Sequence, residues 1–295
     1  MVQLLIDIGT TVGLLVIVSI GLLLILGIMG VVNLAHGAFM TIGAYVCFVV
    51  TSLEWSPWYA FLLAPLVGFV LGVVVERFLV RRLYSRPLDT ILATWGLAIV
   101  LVQLVSGVFG RSAQFVDPPL EGDAIEVLGG FVSQYRLLCF GVAVVLIAAL
   151  YAIARWTNVG LVARAVIMDA DLAQALGINT SLVNSLCFGI GSAFAAFAGA
   201  CVAPLASVDP NLGTPWNITA FMVVLLGGIS LTGMVVSAVI LAAAQILAIT
   251  YVAPVLASIL IIAIPIVIMR FVPDGLSSLE LSALDRWRRI RRAET

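Results

Sequence analysis

The chain has 295 residues, of which 63% are hydrophobic and 10% charged, and its mean hydropathy is +1.24. Such a composition excludes an ordinary soluble globular protein and predicts a protein whose solvent is lipid. The formal net charge is −1, and all 14 basic residues are Arg. Without a Lys the chain cannot carry a P-loop or a Schiff-base lysine, so any ATP must be hydrolysed by a partner.

Apolar runs recur along the whole chain, and each is close to the roughly 20 residues that a helix needs to cross a bilayer. The nine runs cover residues 10–33, 37–52, 58–75, 90–110, 137–154, 181–205, 217–231, 233–251 and 253–272. They lack the strict alternation of barrel strands, and backbone groups in hydrocarbon must be bonded within their own segment. The predicted fold is therefore all-α, a polytopic helical membrane bundle of eight or nine segments within a single domain, residues 1–295.

The N-terminus starts Met1-Val2-Gln3-Leu4, without the positive region of a signal peptide. The first apolar run is also long enough to span, so we expect it to be retained rather than cleaved.

Arginines cluster in regions that the positive-inside rule assigns to the cytoplasm. These are Arg77–Arg86, the loop 155–180, and the tail 273–295 with Arg286, Arg288, Arg289, Arg291 and Arg292. The acidic loop 111–136 and the loop 206–216 are predicted to lie outside. This alternation places the N-terminus outside and the C-terminus in the cytoplasm, with Trp55 and Trp58 at the outer interface.

Two apolar segments are interrupted by glycines, Leu24–Ala44 and Val224–Ala243. We expect a broken or re-entrant helix at each. Glycine-broken segments in corresponding positions indicate a path at the membrane midplane in transporters, because broken helices expose backbone dipoles to a polar solute. Close packing of helices through glycine gives the same pattern, so both interpretations stay open.

Asn33 and His36, the only His, lie within the first of these interruptions. Polar groups at membrane depth usually face a cavity or a partner, which makes them candidates for lining a translocation path. Alternatively, Asn33 caps the following helix and His36 satisfies a backbone carbonyl. The candidate path residues are Asn33, His36, Gly37, Gly227 and Thr232.

No metal site or catalytic residue is predicted, because no second His, paired carboxylate or CxxC accompanies His36. The four cysteines fall in apolar runs or at their ends and are interpreted as packing residues: Cys47, Cys139, Cys187 and Cys201.

A short amphipathic helix is predicted in the cytoplasmic loop 155–180. Asp169 suits its N-cap, Asp171 its positive end, and Gly177 its termination, while three apolar residues share one face: Leu172, Ala175 and Leu176. A helix this short needs a surface on which to bury that face. The membrane, the chain's own bundle and a groove of a separate protein are all possible surfaces.

Five stretches, in order, resemble the permease subunits of the branched-chain amino acid and urea (short-chain amide) ABC importers. They are GIMGVVNLAHGAFMTIGAY at 27–45, ERFLVRRLYSRPLDTILATWGLAIVL at 76–101, RAVIMDADLAQALGIN at 164–179, FMVVLLGGISLTG at 221–233 and RFVPDGL at 270–276. Together they extend over nearly the whole chain. Within this resemblance, RPLDTILATW at 86–95 together with FMVVLLGG at 221–228 is more similar to the urea and short-amide branch.

The resemblance implies a multi-pass subunit of the bacterial cytoplasmic (inner) membrane that moves its solute by alternating access. The implied partners are a second permease subunit, two cytoplasmic ATPases that hold ATP and Mg²⁺, and an external solute-binding protein. The segment Arg164–Ile178 would contain the helix that couples to the ATPase. The chain itself would be no enzyme and would hold no cofactor.

Other classes of protein fit less well. A secondary transporter usually carries an acidic residue inside a span, whereas the acidic residues near these runs sit at predicted ends: Asp7, Glu54, Glu76, Asp89, Asp209 and Asp274. An intramembrane enzyme lacks support because HExxH and GxSxG are absent. A passive channel would not need the capped helix at 169–176. The tail DRWRRIRR at 285–292 is interpreted as an anchor to anionic lipid rather than a nucleic-acid site.

Overall fold

The computed structural model describes residues 1–84, 86–120, 122–127, 129–273 and 275–278. The Arg-rich tail at 285–292, Glu121 and Asp274 lie outside these ranges. The described helices are α1 Val2–Met29, α2 His36–Ser52, α3 Ala60–Phe78, α4 Pro87–Phe109, α5 Gln134–Trp156, α6 Asn158–Met168, α7 Ala170–Ala175, α8 Thr180–Val202, α9 Gly213–Gly227, α10 Leu231–Tyr251 and α11 Pro254–Phe271. A small antiparallel hairpin pairs β1 Ile125–Val127 with β2 Gly130–Val132.

All the described helices except α6 and α7 correspond to the nine predicted membrane segments. Within the described ranges, seven are long and apolar enough to cross a membrane: α1, α3 with its preceding 3-10 turn, α4, α5, α8, α10 and α11. The other two runs form the shorter helices α2, of 17 residues, and α9, of 15. The predicted all-α polytopic bundle is confirmed.

Both predicted breaks begin at a glycine in the left-handed region. Gly30 ends α1 with φ 65°, and Gly228 ends α9 with φ 74°. The imidazole Nε2 of His36, the first residue of α2, lies 2.8 Å from the carbonyl oxygen of Val18. Val18 is about 17 Å before the end of α1, given a rise of about 1.5 Å per residue. The segment 30–35 therefore doubles back along α1, and α2 starts partway along its length.

Helix α8 occupies the centre of the bundle and packs against α1, α2 and α3. Its partners approach through small residues, so closely that a Cβ on Gly43 of α2 would collide with the backbone carbonyl of Ala196. On α3 every fourth residue is buried: Ala60, Ala64, Gly68, Gly72 and Glu76. This is the small-residue packing typical of membrane helices.

Glu76 differs from its predicted position. The sequence places it at the end of a run, whereas α3 continues two residues further and buries it completely. The amphipathic spacing of α3, which hydropathy alone does not report, brings it onto the face that contacts α8.

The two ends of the bundle differ in charge as the sequence predicts. At one end the Gln3 side chain bonds to the backbone of Phe131, which joins the N-terminus to the hairpin. At the same end Gln114 pairs with Val208, which joins the two predicted outer loops. Arg77, Arg155 and Arg270 lie in the last turns of α3, α5 and α11. Since α5 starts beside the hairpin, its Arg155 lies at the opposite end.

Gly43→Ala should lower the stability of the bundle by about 1–3 kcal/mol, because the added methyl forces the α2 and α8 backbones apart. The measurement is the thermal melting temperature of the purified chain in detergent. Gly141→Ala on α5 is the matched control, since nothing lies within 4 Å of its added Cβ. Equal melting temperatures for the two variants would contradict the close approach of α2 and α8.

Candidate functional site: a cavity at the helix break and a capped loop helix

A cavity of about 440 Å³ lies between the start of α2, the middle of α4 and the start of α9. Its size falls within the range of about 300–1,000 Å³ typical of small-molecule sites. It is lined by Leu34, Gly37, Ala38, Trp95, Ala98, Ile99, Val102, Gln103, Asn211, Thr214, Asn217 and Ile218.

The lining combines uncharged polar groups with aliphatic ones. Gln103, Asn211, Thr214 and Asn217 supply amides and a hydroxyl, and none of the described lining residues is ionisable. Gln103 is exposed within the 23-residue helix α4. A polar side chain facing lipid at membrane depth is costly, so this face of α4 suits a water-filled space or another protein. The arrangement fits a neutral or zwitterionic solute.

The broken segment forms one wall of the cavity and takes its hydrogen bonds from two neighbouring helices. The Leu34 backbone N–H donates to Thr94 Oγ1 at 3.2 Å, and the Leu34 carbonyl accepts from Asn217 Nδ2 at 3.1 Å. Irregular backbone at membrane depth survives only where its polar groups are satisfied. Side chains of α4 and α9 therefore hold the break in place.

Three of the predicted path residues lie at the helix break. Gly37 lines the cavity, whereas Asn33 and His36 beside it are buried. Asn33 Oδ1 accepts from the Ala35 N–H at 3.0 Å, and the His36 imidazole bonds to the Val18 carbonyl. These are the bonds expected of the structural alternative, and a role in transport stays a prediction for both residues.

Gly227 and Thr232 lie away from this group. Gly37 contacts Gly213, the first residue of α9, whereas Gly227 is the last residue of that helix. The two ends of α9 are about 21 Å apart along the helix axis. The structure thus does not bring Gly227 and Thr232 to the cavity, and their role in the path also stays a prediction.

Several lining residues were not anticipated from sequence. Gln103 carries a readable signal, since it is an amide inside a predicted apolar run. Asn217 is likewise an amide, at the first position of the predicted run 217–231. Trp95, Asn211 and Thr214 carry no such signal, because only the tertiary arrangement brings them together.

A second cavity, of about 230 Å³, lies among α3, α5 and α8. Its lining is entirely apolar: Phe61, Pro65, Leu146, Ile190, Ala193, Phe194 and Phe197. A crevice of this kind suits a lipid chain and not a polar solute.

The loop 155–180 contains two helices instead of the single one predicted. Helix α6 ends at Met168, directly before Asp169, because Asp169 takes an extended conformation and caps α7. The Asp169 carboxylate accepts from the Leu172 N–H at 2.9 Å, as the sequence predicts. Arg164 on α6 contacts the Ala154 carbonyl at the end of α5.

The C-terminus of α7 is closed by a Schellman motif. The Gly177 N–H donates to the Gln174 carbonyl and the Ile178 N–H to the Ala173 carbonyl, both at 3.0 Å. Gly177 takes φ 91°, a conformation that favours glycine. The predicted termination at Gly177 is therefore observed, and α7 is closed at both ends.

The apolar face of α7 points away from the bundle. Leu172 is 57% exposed and Leu176 is 76% exposed, and Ala175 between them is exposed as well. Ala173 faces the protein and is buried, while Asp171 lies in the first turn. These exposed side chains form a small apolar surface, and no described residue covers it.

The chain matches a known protein family over most of its length. The family model described as "Branched-chain amino acid transport system / permease component" matches residues 4–269. The permease LivH of Salmonella typhimurium, a high-affinity branched-chain amino acid transport protein, is 28% identical over 88% of this chain and 90% of its own length. The corresponding protein BraD of Pseudomonas aeruginosa is 26% identical over 78% of this chain and 80% of its own.

One solved structure aligns over most of the chain. PsaBC from Streptococcus pneumoniae in complex with Fab covers 90% of both chains with a TM-score of 0.48 and 14% identity, a likeness too low to support any conclusion. The family model, by contrast, spans nearly every membrane helix. The chain therefore belongs to the family of permease components of branched-chain amino acid transport systems and is a transport subunit, not an enzyme.

Proposed function

We propose that this chain is the membrane subunit of an ATP-driven importer and moves branched-chain amino acids through the cavity between α2, α4 and α9 by alternating access. The observation that carries the proposal is a cavity with an uncharged polar lining, one wall of which is the broken-helix segment. Broken helices beside a midplane cavity are the usual construction of solute paths in transporters.

The cavity lining supports an amino acid as the solute. Asn211, Thr214 and Asn217 can donate to a carboxylate and accept from an ammonium group, while Ile99 and Val102 offer aliphatic contact to a branched side chain. Urea and short amides would use only the polar groups. The resemblance at 86–95 nevertheless makes urea transport the second outcome to be measured.

The ATPase would act on this chain through α7. Its exposed Leu172 and Leu176 form an apolar surface on a helix that is too short to be stable without tertiary contacts. We infer that this surface docks in a groove of a cytoplasmic ATPase, which binds ATP and Mg²⁺. A displacement of the ATPase would then change the side to which the cavity opens.

The complete importer would contain two permease subunits, two ATPases and an external solute-binding protein. The second permease would cover the exposed side of the cavity near Trp95 and Ile99. The N-terminus would be outside and the C-terminus in the cytoplasm of a bacterial inner membrane, with the arginines at the cytoplasmic end.

Replacing Leu172 and Leu176 together by Asp should abolish capture of the ATPase in a pull-down from detergent, because two carboxylates cannot enter an apolar groove. Leu88→Asp is the control, since Leu88 is 75% exposed at the start of α4 and away from α7. Capture of the ATPase by the double variant at the wild-type level would contradict docking through α7.

Gln103→Cys should react with a hydrophilic, membrane-impermeant thiol reagent added to proteoliposomes, because the cavity admits water. The four native cysteines are buried and give little background. Val145→Cys, 66% exposed on α5, is the control and should stay unlabelled if it faces lipid. Equal labelling of both variants would count against the cavity as the path.

Substrate choice is decided by uptake into proteoliposomes that contain the complete importer and ATP. Leucine uptake that urea does not compete with supports the proposed substrate. Urea uptake without leucine uptake would replace it with the short-amide alternative.

A further inference from the structure

A buried polar cluster joins α3, α8 and the segment between α3 and α4 at the cytoplasmic end of the bundle. This segment, described at residues 79–84 and 86, is called the connector. Glu76 on α3 is fully buried, and Arg81 in the following 3-10 turn, Val80–Leu83, contacts both of its oxygens. Arg81 Nε donates to Oε1 at 3.1 Å and Nη2 to Oε2 at 3.0 Å. A carboxylate this deeply buried requires such partners, because an unpaired charge away from water is very costly.

Ser185 brings α8 into this cluster. Its hydroxyl donates to Glu76 Oε2 at 2.5 Å and accepts from Arg81 Nη2 at 2.6 Å. Ser185 is therefore bonded to both members of the ion pair, across 109 and 104 residues of sequence. Hydrogen bonds to charged groups are stronger than those between neutral groups. The Arg81 side chain is 37% exposed and that of Glu76 is fully buried, so water competes little for these bonds.

The start of α8 is tightly connected to α7. Only residues 176–179 separate the two helices. The Schellman motif closes α7, and Asn179 then caps α8 by accepting from the Leu182 N–H at 3.0 Å. With so few residues, all of them hydrogen-bonded, a displacement of α7 moves the first turns of α8 with it.

The other side of the cluster leads to the cavity. Arg81 and Tyr84 lie on the connector, and Tyr84 donates to Glu76 Oε1 at 2.5 Å. Burial raises the pKa of the Tyr84 phenol, so the hydroxyl stays protonated. Thr90 in the first turn of α4 donates to the Leu83 carbonyl at 2.8 Å, which fixes α4 to the connector.

Helix α4 has few other attachments. Its main contacts are with α2 and with the 80–83 turn, and Thr90 and Thr94 are its only residues buried within the described chain. The connector therefore controls the position of the helix that carries Trp95 and Gln103 into the cavity.

We propose that Ser185 and Glu76 form a positioning link that passes a displacement of α7, through the start of α8, to the connector and thus to α4 at the cavity wall. The proposal rests on the proposed docking of an ATPase on α7. It assigns to Ser185 and Glu76 a role in transport that neither the cavity nor the docking surface requires.

The test compares two serine substitutions on α8 in the complete importer, reconstituted with ATPase and binding protein. Ser185→Ala removes the hydroxyl that bridges to Glu76 and Arg81. Ser192→Ala is the matched control, because Ser192 is also buried on α8, two turns further along, and its hydroxyl has no hydrogen-bond partner among the described residues. The quantity measured is the amount of solute transported per ATP hydrolysed.

Ser185→Ala should lower transport per ATP by about threefold or more, a change within the range known for residues that couple two sites. Ser192→Ala should leave the ratio unchanged, and Ser185→Thr, which keeps the hydroxyl, should restore it. Glu76→Gln, of nearly equal volume, should lower the ratio as well, and it serves the same test if Ser185→Ala does not fold.

The proposal is overturned if transport per ATP is unchanged in both Ser185→Ala and Glu76→Gln, including the case in which these variants only melt at a lower temperature. It is also overturned if Ser185→Thr does not restore the ratio. Retention of the ATPase is measured in the same preparations. Loss of the ATPase from Ser185→Ala would mean impaired docking and would also overturn the link. Failure of the docking proposal itself is recognised separately, by capture of the ATPase on the Leu172 and Leu176 double variant.

Discussion

Close packing of small residues around α8 is the constraint on which the rest of this structure depends. In lipid, helices gain little from burying apolar surface against each other, so van der Waals contact between closely approaching backbones has to hold them together. Gly43 and Ala196 meet backbone to backbone, and Gly72 lies against the side chain of Ser192. Helices α1, α2 and α3 are thereby fixed around α8, which leaves α4 and the loop helices α6 and α7 as the more loosely attached parts.

The break between α1 and α2 is tolerated because side chains of neighbouring helices satisfy its backbone. The backbone N–H and carbonyl of Leu34 lie outside both helices, and Thr94 and Asn217 supply their partners. The side chains that satisfy the break come from α4 and α9, the helices that also line the cavity. Stability of the break and formation of the cavity are thus consequences of one set of hydrogen bonds.

Much of the architecture follows from sequence, because hydropathy and capping are local properties. The nine apolar runs, the glycine breaks, the Asp169 cap and the Gly177 termination are all present. The division of the loop into α6 and α7 was missed, since a capping residue that starts one helix here also ends another. The burial of Glu76 and the assembly of the cavity from Leu34, Trp95 and Asn217 depend on which helices become neighbours, and a single sequence does not contain that information in readable form. The functional roles predicted for Asn33, His36, Gly227 and Thr232, and for the coupling residues from Arg164 to Ile178, stay predictions.

Helix α7 is capped at both ends, and this affects the free energy of binding a partner. A surface helix that folds only on contact would lose conformational entropy at that moment, and part of the binding free energy would be used to order it. Here the carboxylate of Asp169 and the two carbonyls at the other end already satisfy the termini. Any protein that binds this surface meets a preorganised ligand, so that association can be fast and nearly rigid, and small changes in the partner's orientation are not absorbed by refolding of the helix.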